Sequence, residues 1–336
     1  MQPYGTTQGS LLGAILFVIY VNDFPAERKE SDTTCYVDDN ADISSDREAD
    51  TAQEKVQREA KHSHEWLKAN GLALSPEKTK LMLMTTKERK AKLRTNKIEI
   101  EMDNSIIEST RSEKYLGMTV SDTLNWREHL YGEKWRSEED NAPGLIPTLI
   151  KRLAILKKLS KYTNRHNMRI FTEGISMSKM RYSLPVMMNI WHEETYRIDE
   201  RKYQTFTKKD LQRLQTIQNT AMRLITKKRD RNTPTVELLK ETESMSVHQI
   251  GAEAILNEAK KIILTGKPEY LKTMLKTESN RRGEVKVKKR RNNLNITDEG
   301  FIQKATKLLN LIPPEMLAEE EMQRFKKMSN IHPKPY

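Results

Sequence analysis

The spacing of apolar residues changes character along the chain. Gly9-Ser10 precede a continuous apolar run, "LLGAILFVIYV" (Leu11 to Val21), which predicts a turn feeding a helix packed on both sides. "DTTCYVDDNADIS" predicts two short strands around Asp38-Asp39-Asn40, residues that favour tight turns. From Glu48 to Ala69, Ala49, Ala52, Val56, Ala60 and Leu67 fall near one helical face, and Gly71 stands where that helix would stop. "LAL" and "KLMLM" flank "SPEKT" as a second strand-turn-strand unit; "KIEIEM" alternates with period two, Asp103-Asn104 offers a turn, and "KYLGMTV" is a further strand. After Trp126 the strand signal fades. Leu149, Leu153, Leu156 and Leu159 make one amphipathic stripe, and Leu211, Leu214, Ile217, Ala221 and Leu224 another. A third lies in "VHQIGAEAILNEAKKIIL". The pattern is that of an α+β class: a mixed first part and a mostly helical remainder.

Charge divides the chain differently from hydropathy. Across 336 residues the net charge is +12, but residues 1 to 110 carry 15 basic and 19 acidic side chains, net −4. Residues 111 to 336 carry 44 basic and 28 acidic, net +16. Such a surplus favours polyanions, nucleic acid first and anionic membrane second. Seven basic residues crowd "RRGEVKVKKRRNN" (Arg281 to Asn293), read as a linker or arm. One cysteine, Cys35, excludes an internal disulfide and gives no zinc spacing. The run at Leu11 is too short to span a membrane and lacks the flanks of a signal peptide, so neither a membrane protein nor a secreted one is expected.

Adjacent carboxylates repel each other, and a bound cation reverses that repulsion. Asp38-Asp39 on a hairpin therefore has two readings, a plain turn and part of a site for a hard divalent ion. The dipeptide leaves both open.

Four segments in order add context: "GTTQGSLLGAILFVIYVNDFP", "CYVDD", "WLKANGLALSPEKTKLML" and "KYLGMTVSDTLNWREHL". Together they resemble successive palm blocks of reverse transcriptases of non-LTR retrotransposons, LINE-type and Jockey-like. "LQRLQTIQNTAMRLITKKRDRNTPTVELLKE" is similar to the thumb-side helix and following segment of these elements, and "FIQKATKLLNLIPPEMLAEEEMQRFKK" to a terminal segment, without its tryptophan. The resemblance implies a partial palm (1–130), a helical thumb or connection (131–265), a basic linker (266–300) and a C-terminal helical segment (301–336). It implies an RNA template, a DNA primer and dNTPs as partners, two Mg2+ ions in the intact family site with weak or absent binding expected here, and a nuclear or cytoplasmic setting for an intact element.

The same resemblance implies site residues. Asp38 would be the main metal ligand and catalytic carboxylate, and Asp39 its weaker neighbour. Gln8, Gly9 and Ser10 would touch template and nucleotide, Tyr36 would lean on the primer end with Val37 packed below it, and Lys78 would neutralise or protonate pyrophosphate. "KYLGM" would hold the primer terminus. Trp126 and Trp191 are expected to pack in the core. The family carries a further carboxylate and basic finger segments ahead of the "QGS" block, where this sequence has seven residues before Gln8. The expectation is a fragment, inactive alone and prone to insolubility. Two other readings stand beside it: a non-catalytic nucleic-acid binder in which Asp38-Asp39 is vestigial, and a helical scaffold with no nucleic-acid role.

Overall fold

The structure is a computed structural model describing residues 9–24, 30–93, 98–132, 143–188, 206–228, 230, 232–275, 277–279, 285–287 and 300–311. Gln8, Trp191, most of Arg281–Asn293 and everything after Leu311 lie outside the described residues. The chain forms two units, Met1–Leu124 and Asn125–Tyr336.

Unit 1 begins with α1 (Leu11–Tyr20), whose N-terminus is closed by the Ser10 hydroxyl accepting from the Gly13 N–H at 3.0 Å. The expectation of burial on both sides is not met. Only Gly13 is buried, while Leu11, Leu12, Ile15 and Ile19 are exposed, Leu11 by 83%. What ties the helix down lies at its far end: the Tyr20 hydroxyl donates to the Asn70 carbonyl, and Phe24 meets Trp66 edge to face at 5.0 Å.

Both contacts reach α2 (Ala49–Ala69) or its end. Its inward face is Val56, Glu59, Ala60, Ser63 and Trp66, shifted from the alanine-based face expected. Gly71, at φ 66°, ends it as foreseen: the Leu72 N–H bonds the Leu67 carbonyl and the Gly71 N–H that of Lys68.

The strands of unit 1 form separate antiparallel pairs rather than one small sheet: β1 (Asp32–Tyr36) with β2 (Asp39–Ile43), β3 (Glu99–Met102) with β4 (Ser105–Glu108), and β5 (Ser112–Tyr115) with β6 (Met118–Ser121). Period two holds in β3, where Ile100 and Met102 are buried, and Asp103-Asn104 turn with φ 48° and 58°. "KYLGMTV" is not one strand. Leu116 and Gly117, at φ 45° and 79°, fold it into the β5–β6 hairpin.

"LAL" and "KLMLM" also depart from expectation, because among the described residues they pair with no strand beyond a single parallel bridge, Leu81 to Ser109. Their extended backbone instead joins hairpins: the Thr110 N–H bonds the Leu81 carbonyl and the Thr85 N–H that of Asp122. Ala60, Leu81, Ile98, Ile100, Met102 and Ile107 form the core of this unit. Gln57 closes the open edge of β3, its side-chain amide giving to and taking from the Glu101 backbone at 2.7 Å each way.

Unit 2 is helical. After α3 (Lys87–Lys90) of unit 1 come α4 (Arg127–Tyr131), α5 (Leu145–Leu159), α6 (Arg165–Thr172), a π-helical turn (Glu173–Met177), α7 (Ser178–Met187), α8 (Lys208–Thr226), α9 (Thr235–Glu241), α10 (Val247–Thr265), α11 (Glu269–Met274) and α12 (Phe301–Leu309). The three expected stripes are buried at Leu149, Leu153 and Leu156, at Leu214, Ile217 and Ala221, and at Ile250, Ile255, Ala259 and Ile262. Trp126 packs half-buried against this core. A Cβ on Gly251 would lie 2.5 Å from the Met188 methyl, so glycine sets how closely α10 meets the end of α7.

Polar residues fix what the stripes leave loose. The Tyr131 hydroxyl donates to Asp210 at 2.5 Å under the Arg213 guanidinium, 5.2 Å from the ring centre. Arg152 donates to the Ile175 carbonyl in the π turn. Lys304, 2% exposed, donates at 2.7 Å to the Val186 carbonyl at the C-terminal end of α7, where a cation is favoured. One part of the expected basic linker is a strand pair, β7 (Thr277–Ser279) with β8 (Val285–Val287).

Candidate functional site

The register of β1 and β2 decides where the two carboxylates stand. Thr33 faces Asp42, its hydroxyl donating to that carboxylate at 2.6 Å, and Cys35 faces Asn40. Tyr36 and Asp39 then close the ladder, leaving Val37 and Asp38 as a two-residue turn. Asp39 and Asn40 belong to β2, one position beyond the turn read from their composition.

The residue with left-handed geometry is Val37, at φ 59°, while Asp38 stays at negative φ. That sign pattern is a type II′ turn, whose first central position favours glycine. A β-branched residue there is an outlier that costs on the order of 1–3 kcal/mol. The turn holds up Tyr36, 62% exposed, and both carboxylates, which are exposed and form no hydrogen bond or ion pair among the described residues.

A second hairpin approaches the first. Tyr115, the last residue of β5, has a hydroxyl pushed above the ordinary tyrosine range, first by burial and then by the negative charges of Asp39 and Cys35. That hydroxyl is buried and has no hydrogen-bond partner among the described residues. The "YVDD" turn and the "KYLGM" hairpin thus lie within electrostatic reach of each other. Tyr115 was not singled out from the sequence; its one signal is an aromatic directly ahead of a Leu-Gly turn.

The other expected residues are placed as follows. Gly9 has φ 83° with open space where a Cβ would stand, so its need for glycine is conformational. Ser10 caps α1. Lys78 lies in the Pro76–Lys78 turn, its N–H bonding the Ser75 carbonyl at 3.1 Å, with its ammonium exposed and unpaired among the described residues. Gln8 is not among the described residues.

For magnesium the donor chemistry fits in part. Asp38 and Asp39 are hard, adjacent oxygen donors, enough for one Mg2+ that keeps most of its water. Among the described residues no group of three His, Cys, Asp or Glu is gathered to hold a metal, so a two-ion clamp is not complete within them.

In α8 the run Gln215, Gln218 and Asn219 does structural work that the apolar stripe does not reveal. The Gln215 amide donates to Gln218 at 2.8 Å and Asn219 at 2.9 Å, and its oxygen accepts from the Val247 N–H. Gln218 donates to the Met245 carbonyl and Asn219 to Thr235, both at 2.8 Å, so the run fastens α9 and the start of α10 to α8.

Residues 2–120 match the family model of reverse transcriptase (RNA-dependent DNA polymerase). The match covers the "YVDD" turn and both hairpins around it, and supports an RNA-directed DNA polymerase relationship for that part of the chain. No curated protein and no solved structure matched. No helix among the described residues is long and apolar enough to cross a membrane.

Proposed function

We propose that unit 1 is the palm-derived part of an RNA-directed DNA polymerase of the non-LTR retrotransposon type, with Asp38 and Asp39 as its metal-facing carboxylates. The observation that carries the reading is the strained turn: Val37 at φ 59° holds up two exposed carboxylates, unpaired among the described residues, inside the segment that matches the polymerase family. A plain turn gains nothing from a β-branched residue at that position, and strain of this kind gathers where a side chain must be aimed.

Magnesium, when bound, would activate a primer 3′-hydroxyl and neutralise phosphate charge. The chain's own contribution is positional. Asp38 and Asp39 present exposed carboxylates at the hairpin turn, Tyr36 offers an exposed ring for the primer end, and Tyr115 of the β5–β6 hairpin lies within electrostatic reach of Asp39. Lys78 supplies a free cation for an incoming triphosphate. Because two carboxylates hold one hydrated ion at best, the chain assayed alone is proposed to be inactive or nearly so.

The test is extension of a DNA primer annealed to an RNA template, with Mg2+ or Mn2+ and dNTPs. Trace incorporation that vanishes in Asp38→Ala supports the reading. Incorporation that persists in Asp38→Ala and Asp39→Ala refutes it.

A second reading, a non-catalytic nucleic-acid binder, is favoured by the net +16 of residues 111–336. Salt-dependent RNA binding that neither Mg2+ nor Asp38→Ala alters would select it.

A further inference from the structure

We infer that the outward face of α5 and the turn after it form a docking surface for single-stranded nucleic acid. This rests on the nucleic-acid reading above and assigns it to particular residues. From Leu145 to Thr172 the chain has seven basic residues and no acidic one. The cations divide into two kinds. Arg165 and Arg169 are engaged with Glu241 and Glu243 at 3.6 and 3.7 Å, and Arg152 fills the π turn. Lys151, Lys157, Lys158 and Lys161 are exposed and make no ion pair or hydrogen bond among the described residues.

Helical geometry brings two of the four free cations onto one line, while Lys157 stands about 100° round from Lys158 and Lys161 lies past the helix end. At about 100° per residue, Lys151 and Lys158 lie within ~20° of each other around the axis, directly opposite the buried Leu149, Leu153 and Leu156. They stand about 10 Å apart along it, the axial span of roughly three stacked nucleotides. Tyr162 follows in the turn after the helix at 88% exposure, next to Lys161 in the chain and four residues after Lys158. A planar aromatic set among unpaired lysines is what a strand with accessible bases engages, phosphates on the cations and a base on the ring.

An anionic membrane is the rival occupant, since Ile150 and Ile155 are also exposed. An interfacial helix, however, gathers its apolar residues on one strip and keeps its charges on the other face. Here Ile150 and Ile155 are about 140° apart, with Lys151 and Lys158 between them, so no strip exists.

The experiment measures fluorescence anisotropy of a labelled single-stranded RNA 12-mer with the full chain, across 50 to 200 mM salt. The expected result for Lys151→Gln, Lys157→Gln, Lys158→Gln and Lys161→Gln combined is a log–log salt slope shallower by about 3. Tyr162→Ala should weaken binding on the order of 10-fold with the slope unchanged. A charge-matched variant of the basic arm (Lys288, Lys289, Arg290 and Arg291 to Gln) should retain most of the affinity. If the arm variant loses the affinity and the α5 variant keeps it, the inference falls while the polymerase reading stands. The inference also falls if anionic vesicles, and not RNA, show the lysine dependence. No RNA binding by the unaltered chain at 50 mM salt would remove the nucleic-acid reading together with the inference. Loss of binding in Asp38→Ala alone would relocate the contact to the "YVDD" turn and likewise overturn it.

Discussion

The described core of unit 1 gathers six buried apolar residues and that of unit 2 gathers 26. Unit 2 sets leucine, isoleucine and methionine on helical stripes and hides them, whereas unit 1 leaves a whole apolar helix, α1, largely in the open. Unit 1 is held by single polar ties: Tyr20 to Asn70, Gln57 to Glu101, and Lys90 to Asp122. It also carries the strained Val37. The contrast teaches that the part bearing the candidate chemistry is not the part that supplies most of the packing.

The comparison breaks most sharply under one chemical change made in both places. Leu214→Ala, at a fully buried position of α8, should cost about 2–5 kcal/mol, read by urea unfolding of the helical signal. Leu12→Ala, on the exposed face of α1, should stay within ~0.5 kcal/mol. Equal losses would mean that α1 is covered in solution.

Acid should act on unit 2 next. His129 is 6% exposed, and burial first, then the Lys179 charge, lower its pKa from 6.5 to about 4. The folded form refuses a proton that the unfolded chain accepts. The stability of unit 2 is therefore intact above pH 6.5, falls as pH drops toward 4, and levels below it, a loss of about 3 kcal/mol. His129→Leu should flatten melting temperature against pH across that window.

Smaller effects belong to the turn. Val37→Gly should stabilise the β1–β2 hairpin by roughly 1 kcal/mol, since glycine accepts the left-handed position without strain. Differential hydrogen exchange at Tyr36 and Asp39 would register it. Asp38→Asn should change stability by less than ~0.5 kcal/mol, because the carboxylate has no partner among the described residues. A large destabilisation there would give Asp38 a structural duty in place of a chemical one.

Much of the fold was legible where one periodicity ruled. The alternation of "KIEIEM" marked β3, and the leucine spacing of α5 marked its buried side, because each face there meets a single environment. Legibility failed where tertiary contacts overrode local preference. Composition put the turn at Asp38-Asp39-Asn40, but the pairs Cys35–Asn40 and Thr33–Asp42 draw Asp39 and Asn40 into β2 and push Val37 into geometry its side chain disfavours. "KLMLM" looked like a strand and is a splint between hairpins. The continuous apolar run of α1 implied a buried helix, and apolar character alone does not say what covers it. At the candidate site the adjacency of Asp38 and Asp39 was plain from the sequence; the approach of Tyr115 depended on a hairpin 70 residues further on, beyond the reach of any local pattern.

In the proposed site, Val37 is strained so that Asp38 and Asp39 face a divalent metal. Fe2+ in place of Mg2+, with ascorbate and peroxide, cleaves backbone next to the ion it replaces, and mass spectrometry of the fragments maps the site without any need for turnover. Cleavage is expected between Tyr36 and Asn40 and near Tyr115, suppressed by excess Mg2+ and lost in Asp38→Asn at unchanged melting temperature. Cleavage that ignores Asp38→Asn, or that maps elsewhere, would contradict the proposed site.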